Sequence, residues 1–104
     1  MTSLPGRRRL PDRRLSPGAT LDHHGARYRM TVGLYPDGSP GEIFIRGPKV
    51  GSDSDALVDD AATMASLLLQ LGFAADDLAR RLTADGLMRQ ALELAAEMTR
   101  PEAA

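Results

Sequence analysis

Apolar and polar side chains alternate along residues 26–35. The apolar positions are Tyr28, Met30, Val32 and Leu34, and the positions between them are Arg27, Arg29, Thr31 and Gly33. A period of two predicts a β-strand with one buried face. The turn-forming segment 36–41 follows, and segment 42–46 then predicts a second strand with Ile43 and Ile45 on one face and Phe44 on the other. These residues therefore predict an antiparallel β-hairpin.

From Ser52 to Leu71 the apolar spacing lengthens to that of a helix. Either Ser52 or Ser54 suits the N-cap position, and the acidic residues beside them suit the positive end of a helix dipole. Gly72 stands where a glycine commonly follows the last helical residue. We therefore expect one long helix to follow the hairpin.

The apolar residues of this helix form two neighbouring stripes, with a narrow polar strip opposite. One stripe consists of Leu57, Ala61, Met64, Leu68 and Leu71, and the second consists of Val58, Ala65 and Leu69. The polar strip consists of Asp55, Asp59, Thr63, Ser66 and Gln70. A helix that is apolar around most of its girth is typical of burial on more than one side. We therefore expect Leu57, Met64, Leu68 and Leu71 to lie in the core or in a dimer interface.

Two shorter helices are predicted after it, over residues 76–82 and 85–98, and the inner face of the last carries Leu87, Ala91, Leu94 and Met98. The predicted fold class is α+β, with an N-terminal basic arm, an antiparallel β-hairpin, a long helix and two shorter helices. A chain of 104 residues has room for one domain. We assign residues 1–25 to a flexible arm, 26–98 to the domain and 99–104 to a flexible tail.

A single hairpin offers little sheet for covering so apolar a helix, and an isolated hairpin is marginally stable. Its edge strands would also present unpaired backbone groups. A dimer could cover the apolar helix and pair the edge strands. Its two chains could pair their hairpins edge to edge or pack helix on helix. The sequence therefore predicts a homodimer.

Charge is distributed unevenly along the chain. Residues 1–14 carry five arginines against one acidic residue, whereas the remainder carries eight basic and 13 acidic side chains. Such an arm is typical of a segment that contacts nucleic acid, an acidic partner or its own domain. The candidate contacts for an anion or a partner are Arg7, Arg8, Arg9, Arg13, Arg14 and Lys49. We rank nucleic acid below the other partners, because aromatic side chains for base stacking are scarce and the domain is acidic.

Composition narrows the classes of site and of cellular location. The chain has no cysteine, which excludes disulfides and thiolate metal ligands. No apolar run approaches the length of a membrane span, and the arginines lack the apolar stretch of a secretory signal. We expect a cytoplasmic protein with no membrane contact.

Each group of residues that could form a chemical site also has a simpler structural explanation. The loop 47–52 with Lys49 opens a helix but lacks P-loop spacing, so a connection is favoured over a phosphate site. His23 and His24 are adjacent and lack a third ligand at motif spacing. The carboxylates at the start of the long helix suit its dipole. We therefore predict no catalytic residue, no cofactor and no metal site.

One string of segments has a family resemblance. Segments 41–45, 51–52 and 57–72 resemble the TSCPD domain, the small C-terminal module of adenosylcobalamin-dependent ribonucleotide reductases, which also occurs as short stand-alone proteins. Segments 9–14 and 35–38 are similar to parts of the stand-alone form. The resemblance covers about residues 7–95 and implies a shared fold and a shared partner, such as a ribonucleotide reductase.

The chain departs from that family at the residues that carry chemistry. Ribonucleotide reduction by a radical route needs a thiol and a cysteine pair, and this chain has no cysteine. The sequence therefore favours a non-catalytic accessory or interaction module that acts as a homodimer. Two alternatives stay open: a nucleic-acid-binding protein that uses the arginine arm, and an accessory subunit of a ribonucleoside-diphosphate reductase.

Overall fold

A computed structural model describes residues 6–49 and 51–98 of the chain. Three strands precede three helices: β1 (Gly18–His23), β2 (Ala26–Leu34), β3 (Pro40–Arg46), α1 (Asp53–Gln70), α2 (Ala75–Arg80) and α3 (Leu87–Met98). The strands form one antiparallel sheet in the order β1-β2-β3. The α+β class, the hairpin and the succession of one long and two shorter helices are thus confirmed. The predicted tail, residues 99–104, lies outside the described residues.

Strand β1 is a feature that the sequence pattern did not predict. It falls within the predicted arm, and its register with β2 pairs Leu21 with Tyr28 and His23 with Ala26. The two residues between these strands, His24 and Gly25, both have positive φ angles, 48° and 82°. That conformation makes the tight hairpin turns whose twist matches a sheet. Leu21 is the one large apolar side chain of the strand, so the alternation there was too weak to predict it.

The core lies between the inner face of this sheet and the helices. The strands contribute Leu21, Met30, Val32, Ile43 and Ile45, and the helices contribute Ala62, Ala65, Leu69, Leu78, Ala79, Ala91, Leu92 and Ala95. All are at most 7% exposed. The predicted faces of β3 are confirmed. Ile43 and Ile45 are buried on the inner face, while Phe44 is 53% exposed on the outer face. Five of these eight helical residues are alanines, so the larger apolar side chains of the core come mainly from the strands.

Helix α1 begins and ends as its sequence predicts. The Ser52 side chain accepts a hydrogen bond from the backbone N–H of Asp55 at 3.1 Å, and so satisfies one of the free donors of the first turn. Leu71 is the C-cap residue, and Gly72 follows it with a φ of 107°. That left-handed conformation favours glycine, which has no Cβ to clash.

The orientation of α1 corrects the predicted assignment of its faces. Ser66 and Gln70, placed in the exposed polar strip, are buried at 9% and 6% exposure. Leu57, Met64, Leu68 and Leu71 were expected in the core or in a dimer interface; all four are exposed and so lie outside the core, and their place in a dimer interface stays a prediction. The reason is that α1 lies along the free edge of β3, whose backbone groups need polar partners that leucine cannot supply.

Candidate interaction surfaces

Four large apolar side chains, three on α1 and one at its C-cap, form an exposed surface on the side of the helix opposite the core. This α1 surface consists of Leu57, Met64, Leu68 and Leu71, whose exposed fractions are 70%, 60%, 37% and 38%. Their spacing of seven, four and three residues keeps them on one helical face. A contiguous apolar patch of this kind marks an interaction site in most monomers that carry one.

The α1 surface continues onto neighbouring elements. Leu57 and Ala61 of α1 line a shallow groove together with Leu82, which follows α2, and Leu87, the first residue of α3. At the other end of the helix, Phe73 is 46% exposed just beyond Leu71. From Leu57 to Leu71 the apolar surface thus extends along most of α1, about 21 Å at 1.5 Å per residue.

Acidic side chains flank this surface without cationic partners. Asp53, Asp59 and Asp60 are exposed on α1, and none forms an ion pair with a described residue. They stand in a helical first turn or on an exposed flank, and no histidine or lysine contacts them in the described part of the chain. Their arrangement fits a solvated, dipole-matched face.

The N-terminal arginines pack onto the domain through Gln70 and Tyr35. The Arg8 backbone N–H donates to the Gln70 carbonyl at 2.8 Å, and the Arg7 Nε donates to the Gln70 side-chain oxygen. The Tyr35 hydroxyl donates to the Arg8 carbonyl at 2.6 Å, and the Arg8 guanidinium lies 3.8 Å from the Tyr35 ring centroid. Backbone, side-chain and cation–π contacts therefore hold this part of the arm in one place.

Electrostatics around Tyr35 follow from this packing. Burial raises the pKa of the Tyr35 phenol above its ordinary value, although the nearby Arg8 and Arg7 cations act in the opposite direction. Asp37, which forms an ion pair with Arg8 at 3.3 Å, accepts hydrogen bonds from the Ser39 hydroxyl and N–H. These bonds lower the pKa of the Asp37 carboxyl.

Arg14 forms the most buried ion pair among the described residues. Its Nε lies 2.5 Å from a carboxylate oxygen of Glu42, and the two side chains are 27% and 12% exposed. Beyond it, the carbonyls of Leu15 and Pro17 accept hydrogen bonds from the N–H groups of Leu34 and Val32. The arm therefore extends the sheet before β1 begins, and Arg14 is part of the fold.

The remaining candidate cations have no such partner. Arg9, Arg13 and Lys49 are exposed, and their side chains bond to no described residue. Lys49 belongs to the connection between β3 and α1, where Gly51 takes a positive φ of 84° and its N–H donates to Asp55. The backbone geometry of this loop thus leads into the first turn of α1. The structure places Arg7, Arg8 and Arg14 on the domain and leaves the other three candidates on the surface.

The histidine pair occupies the β1–β2 turn and faces α3. The two rings stack with centroids 4.0 Å apart. His23 Nδ1 lies 2.9 Å from the Gln90 side-chain oxygen, and His24 Nε2 lies 2.9 Å from Asp85. Gln90 also donates to the Asp22 carbonyl at the outer edge of β1. These contacts join the β1–β2 hairpin to α3 and to Asp85, which lies just before α3.

The described residues, 6–49 and 51–98, offer neither a metal-binding cluster nor a membrane-spanning helix. They contain no group of three or more histidine, aspartate or glutamate side chains placed to hold a metal ion. In the same residues, no helix has both the length and the apolar character needed to cross a membrane.

Sequence reasoning missed the residues that join the elements. Ser66 and Gln70 bond to β3, and Glu42 bonds to Arg14. Each is a polar residue at a buried position, and a hydrophobic pattern assigns such residues to the surface. The spacing of Ser66 and Gln70 by one helical turn was the available signal, because it places both on the same face as Ala62.

Comparisons with known proteins agree with this architecture. The model of the TSCPD domain family matches residues 7–94. A vitamin B12-dependent ribonucleotide reductase from Rhodopirellula baltica is 43% identical over 68 residues, which make up 65% of this chain and 6% of the reductase. The chain thus matches one small segment of a far longer enzyme. No solved structure gives a significant match.

Proposed function

Because the chain belongs to the TSCPD domain family, we propose that it is a non-catalytic interaction module that acts as a homodimer. The observation that carries the proposal is the α1 surface, where Leu57 and Met64 are 70% and 60% exposed in the monomer. Exposing such side chains to water costs roughly 25 cal/mol per Å² of apolar area, so covering them stabilises an assembly. A partner for this surface must itself be apolar.

A second copy of the chain is a partner of the required chemistry. In a two-fold dimer the same patch meets itself, so a self-complementary surface suffices. With Met64 near the two-fold axis, antiparallel α1 helices would bring Leu57 of one protomer toward Leu71 of its partner. This arrangement sets the two helix dipoles in opposite directions, which is favourable. It also lets each α1 helix cover the exposed apolar side of the other.

The hydrogen bonds at the free edge of β3 favour a dimer in which α1 packs on α1 over a dimer in which two β3 strands pair. Ser66 and Gln70 bond to backbone groups of β3 that point away from β2. Edge-to-edge pairing through β3 would have to break these bonds. The α1 surface needs no such rearrangement, so we favour the helical interface.

The non-catalytic part of the proposal rests on composition and on the surroundings of the polar groups. The chain has no cysteine to form a thiyl radical or to supply electrons. The acidic residues of α1 have no acid–base partner among the described residues, and the histidines bond to Gln90 and Asp85. We expect no ribonucleotide reduction by the purified protein, with or without adenosylcobalamin and a dithiol.

One alternative is favoured by the similarity to a reductase segment. The reductase from Rhodopirellula baltica carries a segment 43% identical to part of this chain. A related module acting as a separate chain would serve as an accessory subunit of a ribonucleotide reductase. Faster turnover of a reductase from the same cell on addition of this protein would favour this alternative over a module that acts alone.

A matched pair of variants tests the interface. Met64→Asp places a carboxylate in the centre of the α1 surface, and Thr63→Asp places the same charge on the next residue, which is also exposed. Both side chains point to solvent in the monomer, so both variants should fold. We expect Met64→Asp to give monomers in light scattering while Thr63→Asp keeps the dimer. Equal masses for the two variants would contradict the proposal.

A further inference from the structure

The outer face of the sheet carries a cluster that the α1 surface does not involve. In the β2–β3 register, Arg29 pairs with Arg46 and Thr31 pairs with Phe44. Residues two apart on a strand share a face, so these four side chains form one rectangle on the outer face. We call this cluster the outer-face patch. Arg29, Arg46 and Phe44 are exposed, and α1 packs on the opposite face of the sheet.

Charge on this face is unbalanced. Neither Arg29 nor Arg46 bonds to any described residue, although the two stand directly opposite each other. The acidic residues of the same face already have partners, because Glu42 bonds to Arg14 and Asp22 bonds to Arg27. Like charges directly opposite in a sheet are destabilising unless an anion lies between them. The patch therefore has the chemistry of an anion receptor.

Phe44 adds a second requirement for the ligand. Its ring is 53% exposed, and the inner-face residues Ile43 and Ile45 already supply the core contacts of β3. Arg46 stands two residues, about 6.8 Å, farther along the same strand, and Arg29 is its partner in the β2–β3 register. An exposed aromatic ring next to paired cations suits a ligand that combines flat rings with regularly spaced negative charges.

From this juxtaposition we propose that the outer-face patch binds single-stranded nucleic acid, with a base stacked on Phe44 and backbone phosphates on Arg29 and Arg46. Stacking on aromatic side chains and cationic contacts to the backbone are the two components of sequence-tolerant single-strand binding. Three exposed acidic residues without an ion pair, Asp53, Asp59 and Asp60, lie on α1, which packs on the opposite face of the sheet from the patch. The patch and the α1 surface are separate, so a dimer through α1 leaves both patches free.

The test uses the full chain and a labelled oligothymidylate of about 12 nucleotides, within the range of single-strand site sizes. Fluorescence anisotropy at about 50 mM salt should show saturable binding that weakens as the salt concentration rises. Phe44→Thr keeps a side chain that suits a strand but removes the stacking ring. This variant should weaken binding about tenfold, as expected for the loss of one stacked base.

A charge-matched pair distinguishes the sheet from the arm. Arg29→Gln/Arg46→Gln and Arg9→Gln/Arg13→Gln each remove two exposed cations that bond to no described residue. We expect the first double variant to weaken binding about tenfold or more and the second to weaken it about twofold or less, since only the first removes contacts beside Phe44. Equal losses in the two double variants would contradict the proposal and would assign binding to net charge or to the arm.

Three further results would also overturn it. The first is a wild-type protein that does not bind the oligonucleotide at low salt. The second is competition by polyglutamate as effective as that by the unlabelled oligonucleotide, since polyglutamate has charge without bases. The third is a change of molar mass in Arg29→Gln/Arg46→Gln, which would show that the patch contacts another copy of the chain instead.

Discussion

The hydroxyl oxygen of Ser66 accepts a hydrogen bond from the backbone N–H of Ile43 at 2.9 Å. Ile43 faces Val32 across the β2–β3 ladder. The Ser66 hydroxyl itself donates to the Ala62 carbonyl of the preceding helical turn at 2.8 Å. One turn farther along, the Gln70 amide donates to the Gly41 carbonyl at 2.9 Å. Helix α1 thus protects the free edge of β3 with side-chain bonds, and the sheet can end there without a fourth strand.

Replacing Ser66 tests this edge protection. Ser66→Ala leaves the Ile43 N–H buried without a partner, which should cost about 1–3 kcal/mol of unfolding free energy. Ser54→Ala is the matched control, because Ser54 is exposed on the same helix and should change stability by less than about 0.5 kcal/mol. Chemical denaturation of the two variants gives both values. Equal stability of the two would show that the Ser66 bond is not needed.

The hydrogen bond between Tyr35 and the N-terminal arm gives a second prediction. Tyr35→Phe removes the hydrogen bond to the Arg8 carbonyl and should cost about 1 kcal/mol, a typical value for one bond. Tyr28→Phe is the control, because the Tyr28 hydroxyl bonds to no described residue. Proteolysis should also cut the arm faster in Tyr35→Phe than in Tyr28→Phe. Identical melting and cleavage would contradict the contact.

The same tyrosine predicts the behaviour of the protein in alkali. Burial raises the folded-state pKa of Tyr35 above its ordinary value of 10.0. The stability carried by the neutral phenol is therefore complete below that value and is lost as the pH rises through the folded-state pKa. Denaturation measured from about pH 8 to about pH 11 should show a shallower decline in Tyr35→Phe than in the wild type. If the stability of the two proteins declined equally with pH, Tyr35 would not be the group responsible.

Gly33 gives a prediction about the ion pair between Arg14 and Glu42. A Cβ atom at Gly33 would lie 2.6 Å from the Glu42 Cγ, closer than real contacts allow. Gly33→Ala should therefore displace the carboxylate and destabilise the protein by about 1–3 kcal/mol. In Gly18→Ala the new Cβ meets one carbonyl oxygen at an ordinary 3.5 Å, so this variant should be nearly neutral. Thermal melts that rank the two in the opposite order would contradict the packing.

The sequence predicted the elements better than it predicted their contacts. Period-two alternation identified the hairpin, and Ser52 and Gly72 identified the ends of α1, because those signals are local. The orientation of α1 depends on backbone groups of β3 that are distant in sequence, so Ser66 and Gln70 were assigned to solvent. Strand β1 was missed because Leu21 alone supplies a large apolar side chain there.

The same limits apply to the candidate surfaces. Leu57, Met64, Leu68 and Leu71 were identified as one stripe from their spacing, but core and interface could not be distinguished without knowing what covers the helix. The role of the arm depended on long-range contacts to Gln70, Tyr35 and Glu42 that no local pattern encodes. Homodimer formation stays a prediction.

The central claim is that the α1 surface joins two copies of the chain, and the molar mass in solution tests it most directly. Sedimentation equilibrium of the full chain at micromolar concentration should give twice the chain mass of 11.2 kDa. The Met64→Asp variant, with an unchanged circular dichroism spectrum, should give the mass of one chain. A wild-type protein that stays at 11.2 kDa throughout the micromolar range would contradict the account.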